Sequence, residues 1–336
     1  MTSLYETNIL NQPSTWKQLL NSSMPIELID LQANRIVFIG IGSSFWMARI
    51  AEFLWREYNT KTTIRPCSVQ SFDFVKSKYV ISDNDIVVVF SHRGTKTFTV
   101  KALELAKNNG ATTILITGIG SPQMTSNRED YRIETCAQEN CGAFTISLTS
   151  ALTRIIQWIG MDHAVFLERF KETINTIEVS LPYKVHIPKF PKDLVIVGNL
   201  IHEIVAHEVA LKISESSYLP VRSFGLEEFL HGPRVTLDNK TSLIIFSSMQ
   251  EPRREALINY AQAIGCELLD VPQDQFGLPK EFGWLAQLLW GQQLALELSK
   301  TLKTNPDTVR GDQPLYNEAR RALTFDLGNI LYGIWR

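Results

Sequence analysis

The sequence predicts an α/β protein built of two similar units, each a doubly wound parallel sheet flanked by helices. Three observations carry this. Short apolar runs recur along the chain: RIVFIG at 35–40, DIVVVF at 85–90, DLVIVG at 193–198 and SLIIFS at 242–247. Each is followed by a polar turn and an amphipathic stretch of helical period, and alternating strands and helices imply parallel sheets with right-handed crossovers. A basic, proline-bearing segment, Pro182–Pro191, separates the two series and reads as a linker. The expected units are therefore residues 1–180 and 181–336.

In chain order, Asn8–Leu20 reads as an opening helix with Pro13 interrupting it near its start. Arg35–Gly40 is a buried strand, and Gly40-Ile41-Gly42-Ser43-Ser44 opens a helix to about Tyr58. Thr62–Cys67 is a weaker strand because of Pro66, and Ser68–Val75 a helix. Asp85–Phe90 is the clearest strand. Ser91–Thr97 is a turn into a helix that Asn109-Gly110 stops. Thr112–Thr117 and Tyr131–Thr135 complete the first sheet, and one long helix is expected over Thr145–Thr176. In the second series, the strand Asp193–Gly198 leads into a helix bearing Glu208, Lys212 and Glu215. A chain reversal at Pro220, a Glu-rich turn and His231-Gly232-Pro233 come next. Ser242–Ser247 is strand, Pro252–Ile264 helix, Glu267–Val271 strand and Phe282–Leu302 helix.

Composition narrows the functional classes. With 336 residues, 44% apolar and 20% charged, the chain describes a globular protein with ample core. A net charge of −2 gives no electrostatic reason to expect nucleic acid. No apolar run approaches the ~20 residues of a membrane span. Thr2–Lys17 lacks the form of a signal peptide, and four cysteines suggest reduced thiols, so a cytoplasmic location is expected. Cys136 and Cys141 lack the further soft ligands of a zinc site and read as packing residues. His202 and His207 are five apart and so about 140° apart around a helix, which excludes a shared metal. No metal or cofactor is expected. The Gly40-Ile41-Gly42 turn has Phe45 where a dinucleotide fingerprint has its third glycine.

Two turns carry chemistry. Gly40–Ser44 and Ser91–Thr97 both sit at carboxyl ends of strands, where open α/β sheets bind ligands, and both precede helices, whose free N–H groups suit an anion. Ser43, Ser44, Ser91, Thr95 and Thr97 add hydroxyls, and His92, Arg93 and Lys96 add nitrogen donors and charge. Together they look like a phosphate cradle, although serine and threonine also simply cap helices. Lys212 and Glu215, three apart, share a helix face, and His231 follows in the next loop. These three can move protons on a small polyol; the alternative is a surface salt bridge and a loop histidine.

Taken together, these residues resemble the double-SIS proteins, in particular the isomerase half of glucosamine-6-phosphate synthase and free-standing sugar-phosphate isomerases, deaminases and deglycases. The resemblance runs over nearly the whole chain: Tyr5–Ile9 with Gln12-Pro13, the two turns, Gln138–Thr145 as a third loop, Glu208–Lys212 with Glu215–Tyr218, Glu228–Pro233, and Asn305-Pro306-Asp307 with Asp312-Gln313-Pro314. It implies two tandem SIS domains and a sugar-phosphate substrate. It assigns Glu215 to proton transfer between adjacent sugar carbons, His231 to ring opening and Lys212 to a hydroxyl proton. It also implies a homodimer, in which Trp284, Trp290, Tyr332 and Trp335 supply either interface or core. Four departures stand out: Arg93 and Lys96 replace a serine and a threonine of the second turn, Phe144 replaces a small hydroxyl residue, and Ile146 replaces a lysine. Arg320 and Arg321 occupy the region of the synthase's Schiff-base lysine, and arginine does not perform that chemistry. The tail 325–336 is expected to pack on a partner, and ammonia transfer from glutamine is not expected within this chain. A protein that binds a sugar phosphate without turning it over is the second expectation.

Overall fold

A computed structural model describes residues 2–24, 33–59, 63–77, 79–121 and 129–321. The expectations for 325–336, including Tyr332 and Trp335, lie outside the described residues, as does the side chain of Arg321. The first sheet is formed by β1 (Arg35–Gly40), β2 (Arg65–Gln70), β3 (Asp85–Phe90), β4 (Thr112–Ile119) and β5 (Tyr131–Ala137). Its order is β2-β1-β3-β4-β5, with every pair parallel. The second sheet has β6 (Leu194–Gly198), β7 (Val221–Gly225), β8 (Ser242–Ser247) and β9 (Glu267–Pro272) in the order β7-β6-β8-β9, again all parallel. Each order reverses once, between β1 and β3 and between β6 and β8. These are the switch points where such sheets open a crevice.

The helices are α1 (Leu4–Leu20), α2 (Ser43–Tyr58), α3 (Ser71–Lys76), α4 (Thr97–Asn108), α5 (Ile146–Asp162), α6 (Ala164–Ser180), α7 (Ile201–Ser217), α8 (Leu226–His231), α9 (Pro252–Ile264), α10 (Gly283–Leu302) and α11 (Pro314–Arg321). A single large core of buried residues draws on both sheets and on α1, α2, α5, α6, α7 and α10. Trp284 and Trp290 belong to it, so of the two readings left open for them the core one holds.

Several boundaries differ from expectation, the main ones for a physical reason. The first helix begins at Leu4, capped by the Ser3 hydroxyl, and runs through Pro13. Pro13 has no N–H for the Ile9 carbonyl; the Gln12 side-chain amide donates to that oxygen instead, at 3.2 Å. The long helix expected over 145–176 is two helices, because His163 leaves helical angles and its Nδ1 accepts from the Phe166 N–H to start α6. The second strand lies at 65–70 and contains Pro66, which an edge strand tolerates. The reversal after Pro220 is in fact the strand β7, also at an edge and only partly buried, and the Glu-rich turn is α8.

The two units reproduce one turn in atomic detail. After β1 the chain passes through Gly42 at φ 58°, ψ −133°; after β6 it passes through Leu200 at φ 52°, ψ −122°. Such a backbone favours glycine and costs other residues on the order of 1–3 kcal/mol. Two residues earlier stand Gly40 and Gly198. A Cβ on Gly40 would sit 2.2 Å from the Ser44 carbonyl oxygen, and one on Gly198 2.2 Å from that of His202. The obstacle in both is backbone, so Gly40→Ala and Gly198→Ala are each expected to destabilise by more than about 2 kcal/mol in urea unfolding.

Candidate active site

The switch point of the first sheet holds a hollow of about 380 Å³. The starts of α2 and α4 open onto it, through Gly42, Ser43 and Ser44 on one side and Lys96 on the other. The first backbone N–H groups of a helix have no partner within it, so both ends favour an anion. Ser91, His92 and Arg93 continue the lining. The far wall is Lys212 and Glu215 of α7, and the third loop closes it with Gly142 and Phe144. The structure thus brings Ser43, Ser44, Ser91, His92, Arg93, Lys96, Lys212 and Glu215 around one space.

Three expected residues are elsewhere. Thr97 is the first residue of α4 but, like Thr95, does not line the hollow; Thr99, one position beyond its neighbour, does. His231 does not share a hollow with Glu215 within one chain. It ends α8 with 77% of its side chain exposed, and its Nε2 lies 3.1 Å from Glu227. The cause is β7, which carries the chain along the edge of the second sheet before α8 begins.

The electrostatics centre on α7. Lys212 is 1% exposed; its Nζ donates to Glu215 Oε2 and lies 3.6 Å from Glu208 Oε1. Burial works against the ammonium, but Glu215 and Glu208 outweigh it and hold its pKa above the ordinary lysine value. Glu208 is fully buried, and among the described residues neither of its oxygens has a partner at hydrogen-bond distance, Lys212 Nζ lying 3.6 Å away. Burial raises its pKa to about 7, against the opposing pull of Lys212. The Glu215 carboxyl is 30% exposed, and among the described residues no hydrogen bond reaches its Oε1. One carboxylate therefore faces the hollow with an oxygen free, braced by a buried ammonium. A second carboxyl behind it is poised to titrate near neutrality. Sequence reasoning did not separate Glu208 from an ordinary helix-surface acid; its position four residues before Lys212 was the available signal, and burial is what distinguishes it.

His92 and Arg93 do different work from that expected. His92 Nε2 accepts the Glu139 backbone N–H at 2.8 Å, which places the proton on Nδ1, and Nδ1 is buried with no partner among the described residues. Burial, with Arg93 adding to it, lowers its pKa to about 4, so the ring is neutral. It braces the third loop, and its nitrogens are not offered to an anion; this corrects the expectation that the imidazole holds phosphate. The Arg93 guanidinium lies 4.8 Å from the Phe144 ring centre and donates to the Glu139 carbonyl at 3.4 Å. The Glu139 carboxylate accepts from the backbone N–H groups and hydroxyls of Thr145 and Ser147, capping α5 and fixing the loop from below.

Residues 31–159 match the SIS domain family, a span that covers the first sheet and α5. A glutamine–fructose-6-phosphate aminotransferase (isomerizing) of Thermococcus kodakarensis is 24% identical over 340 residues, which is 90% of this chain and 56% of that protein. The chain spans about half the length of the curated relatives it matches. Among solved structures, the C-terminal domain of the Francisella tularensis glucosamine-fructose-6-phosphate aminotransferase superposes with a TM-score of 0.75, at 15% identity over 91% of this chain and 98% of that one. Glucosamine-6-phosphate deaminase of Thermotoga maritima gives 0.72, at 19% identity over 91% and 97%. The fold is that of these phosphosugar proteins, and it extends beyond the matched domain into the second sheet.

The raised pKa of Glu208 makes a pH prediction. A carboxyl that holds its proton more tightly when folded contributes stability that is complete below its unfolded pKa. That contribution is lost as pH rises through its folded value of about 7. Between about pH 4.5 and 7 the melting temperature of the parent is therefore expected to fall relative to that of Glu208→Gln, which has nothing to ionise; parallel melting curves across that range would contradict it.

Proposed function

We propose that the chain is a sugar-phosphate-acting enzyme of the isomerase type, catalysing aldose–ketose isomerisation or deamination or deglycation of an amino-sugar phosphate. The observation that carries this is the hollow itself. It sets the free oxygen of Glu215 opposite two helix starts and the cations Arg93 and Lys96. A phosphate held at the helix starts by Ser43, Ser44, Ser91 and Arg93 leaves the sugar's other end against α7. There Glu215 takes a proton from one carbon and returns it to the next. Lys212 orients the carboxylate and exchanges a hydroxyl proton, and Glu208 adjusts the charge of the pair by taking up or giving up its own proton.

We further propose a division at residues 180 and 181, into an N-terminal helix with the first SIS unit and a second SIS unit with the tail, and a cytoplasmic homodimer. His231, exposed on one chain, would then act as the ring-opening acid in the hollow of a second copy. Mixing Glu215→Gln with His231→Ala subunits is expected to restore activity that neither variant has alone; a mixture as inactive as its parts would remove the shared-site reading.

The decisive measurement is hydrogen exchange at C2 of hexose and hexosamine phosphates in heavy water. The parent is expected to catalyse it, and Glu215→Gln to lower the rate by roughly 10²–10⁴-fold while still binding substrate. The second reading, a sensor that binds without turnover, draws on Arg93, whose guanidinium is already engaged with Phe144 and Glu139. Substrate-induced melting shifts with no exchange in the parent would select it.

A further inference from the structure

The second sheet has a hollow at its own switch point, of about 300 Å³, within reach of the smaller ligand sites of proteins. It corresponds position by position to the first. Ile39 pairs with Val89 in one sheet, and Val197 with Ile245 in the other. Ser91 therefore corresponds to Ser247, and Ser43-Ser44 to Ile201-His202. The turn between is the one that Leu200 holds at positive φ without being glycine. The shape of an anion cradle is retained, but its chemistry is inverted.

The groups that meet here accept hydrogen bonds. His202 is 5% exposed. The Gln287 amide donates to the Ser247 and Val271 carbonyls, so its oxygen takes the His202 Nδ1–H, at 2.6 Å. Among the described residues nothing bonds to Nε2, which is left as a lone-pair acceptor, and burial keeps the ring neutral by lowering its pKa to about 4. Glu281, 7% exposed, pairs with Arg169 through one oxygen, while its Oε2 is buried with no partner among the described residues. Asn199 gives its amide to Glu251 at 2.7 Å, and its Oδ1 too has no partner among the described residues. The lining cation is Lys280, which is exposed. Tyr58 and Trp284 add aromatic surface.

We propose that this hollow is a second ligand site that takes a small protonated amine, its ammonium set between Glu281 and the imidazole of His202 and its body against Tyr58 and Trp284. An ammonium brings three donors and no acceptor, which matches unpartnered acceptors, and aromatic faces attract cations. A phosphate would meet the carboxylates of Glu251 and Glu281 instead. The site does not depend on the chemistry of the first hollow.

Calorimetric titration of the full chain with glucosamine, using glucose as the isosteric control without charge, tests it. Saturable binding of glucosamine is expected, with glucose weaker by about tenfold or more. Glu281→Gln, which removes the charge at constant shape, is expected to weaken glucosamine by about tenfold or more as well. Ser248→Trp fills the hollow and is expected to abolish binding, while Arg93→Ala in the first hollow leaves it unchanged. If Ser248→Trp does not fold, Glu281→Gln decides. The proposal is overturned if the parent shows no saturable binding, if glucose binds as tightly, if neither second-hollow variant affects binding, or if Arg93→Ala removes it.

Discussion

The arrangement depends on one buried ammonium. Lys212 lies inside the protein, and a lysine there is tolerable only beside negative charge: desolvation costs several kcal/mol per ion, and removing one partner of a buried pair costs about 3–5 kcal/mol. Glu208 and Glu215 meet this need from the same helix, one turn before and one turn after, where side chains four and three residues apart share a face. Between and around them, Val205, Ala206, Val209, Ala210 and Ile213 are buried and pack closely. At Gly291 of α10 an added Cβ would lie 2.2 Å from Val209 Cγ2, so the two helices touch nearly backbone to side chain. Lys212 is thus held on a helix that packs closely against α10, which fixes the wall of the hollow that Glu215 occupies.

Around this fixed wall, the variable parts of the hollow are loops. The second turn carries Arg93 and the third loop Phe144, and the two stack on each other. This couples changes that look separate along the chain: a guanidinium in one turn is matched by an aromatic face in another. The neutral His92 joins them from behind, through Glu139 N–H and a T-shaped contact with Phe144 at 5.4 Å. Two of the departures from the related pattern, Arg93 and Phe144, therefore form one packed unit, which narrows the hollow on that side.

The fold was legible wherever strands are buried on both faces. DIVVVF and SLIIFS begin and end where they were read, because every residue in them is buried and the apolar run has the length of the strand. The edge strands 65–70 and 221–225 were displaced or missed, because partial burial leaves no unbroken apolar run. The lining of the candidate hollow was legible where polar residues follow a strand end, at Ser43, Ser44, Ser91, Arg93 and Lys96. It was not legible where distance along the chain misleads: His231 follows Glu215 closely in sequence, yet β7 and α8 carry it to the outer surface. Glu208 could not be valued without its burial, and Pro13 could not be placed inside a helix without knowing that Gln12 serves the orphaned carbonyl.

The start of α1 is held by a side chain some three hundred residues further on. Asp307 accepts the backbone N–H groups of Leu4 and Tyr5, both at 2.9 Å, and its carbonyl accepts that of Gly142 in the third loop at 2.6 Å. Contacts so remote in sequence can close only after both sheets have largely condensed, since loop entropy opposes them earlier. During synthesis, then, the first unit would leave the ribosome with its sheet formed and its third loop held by His92 and Glu139 alone, and the hollow would acquire its final rim only when Asp307 arrived.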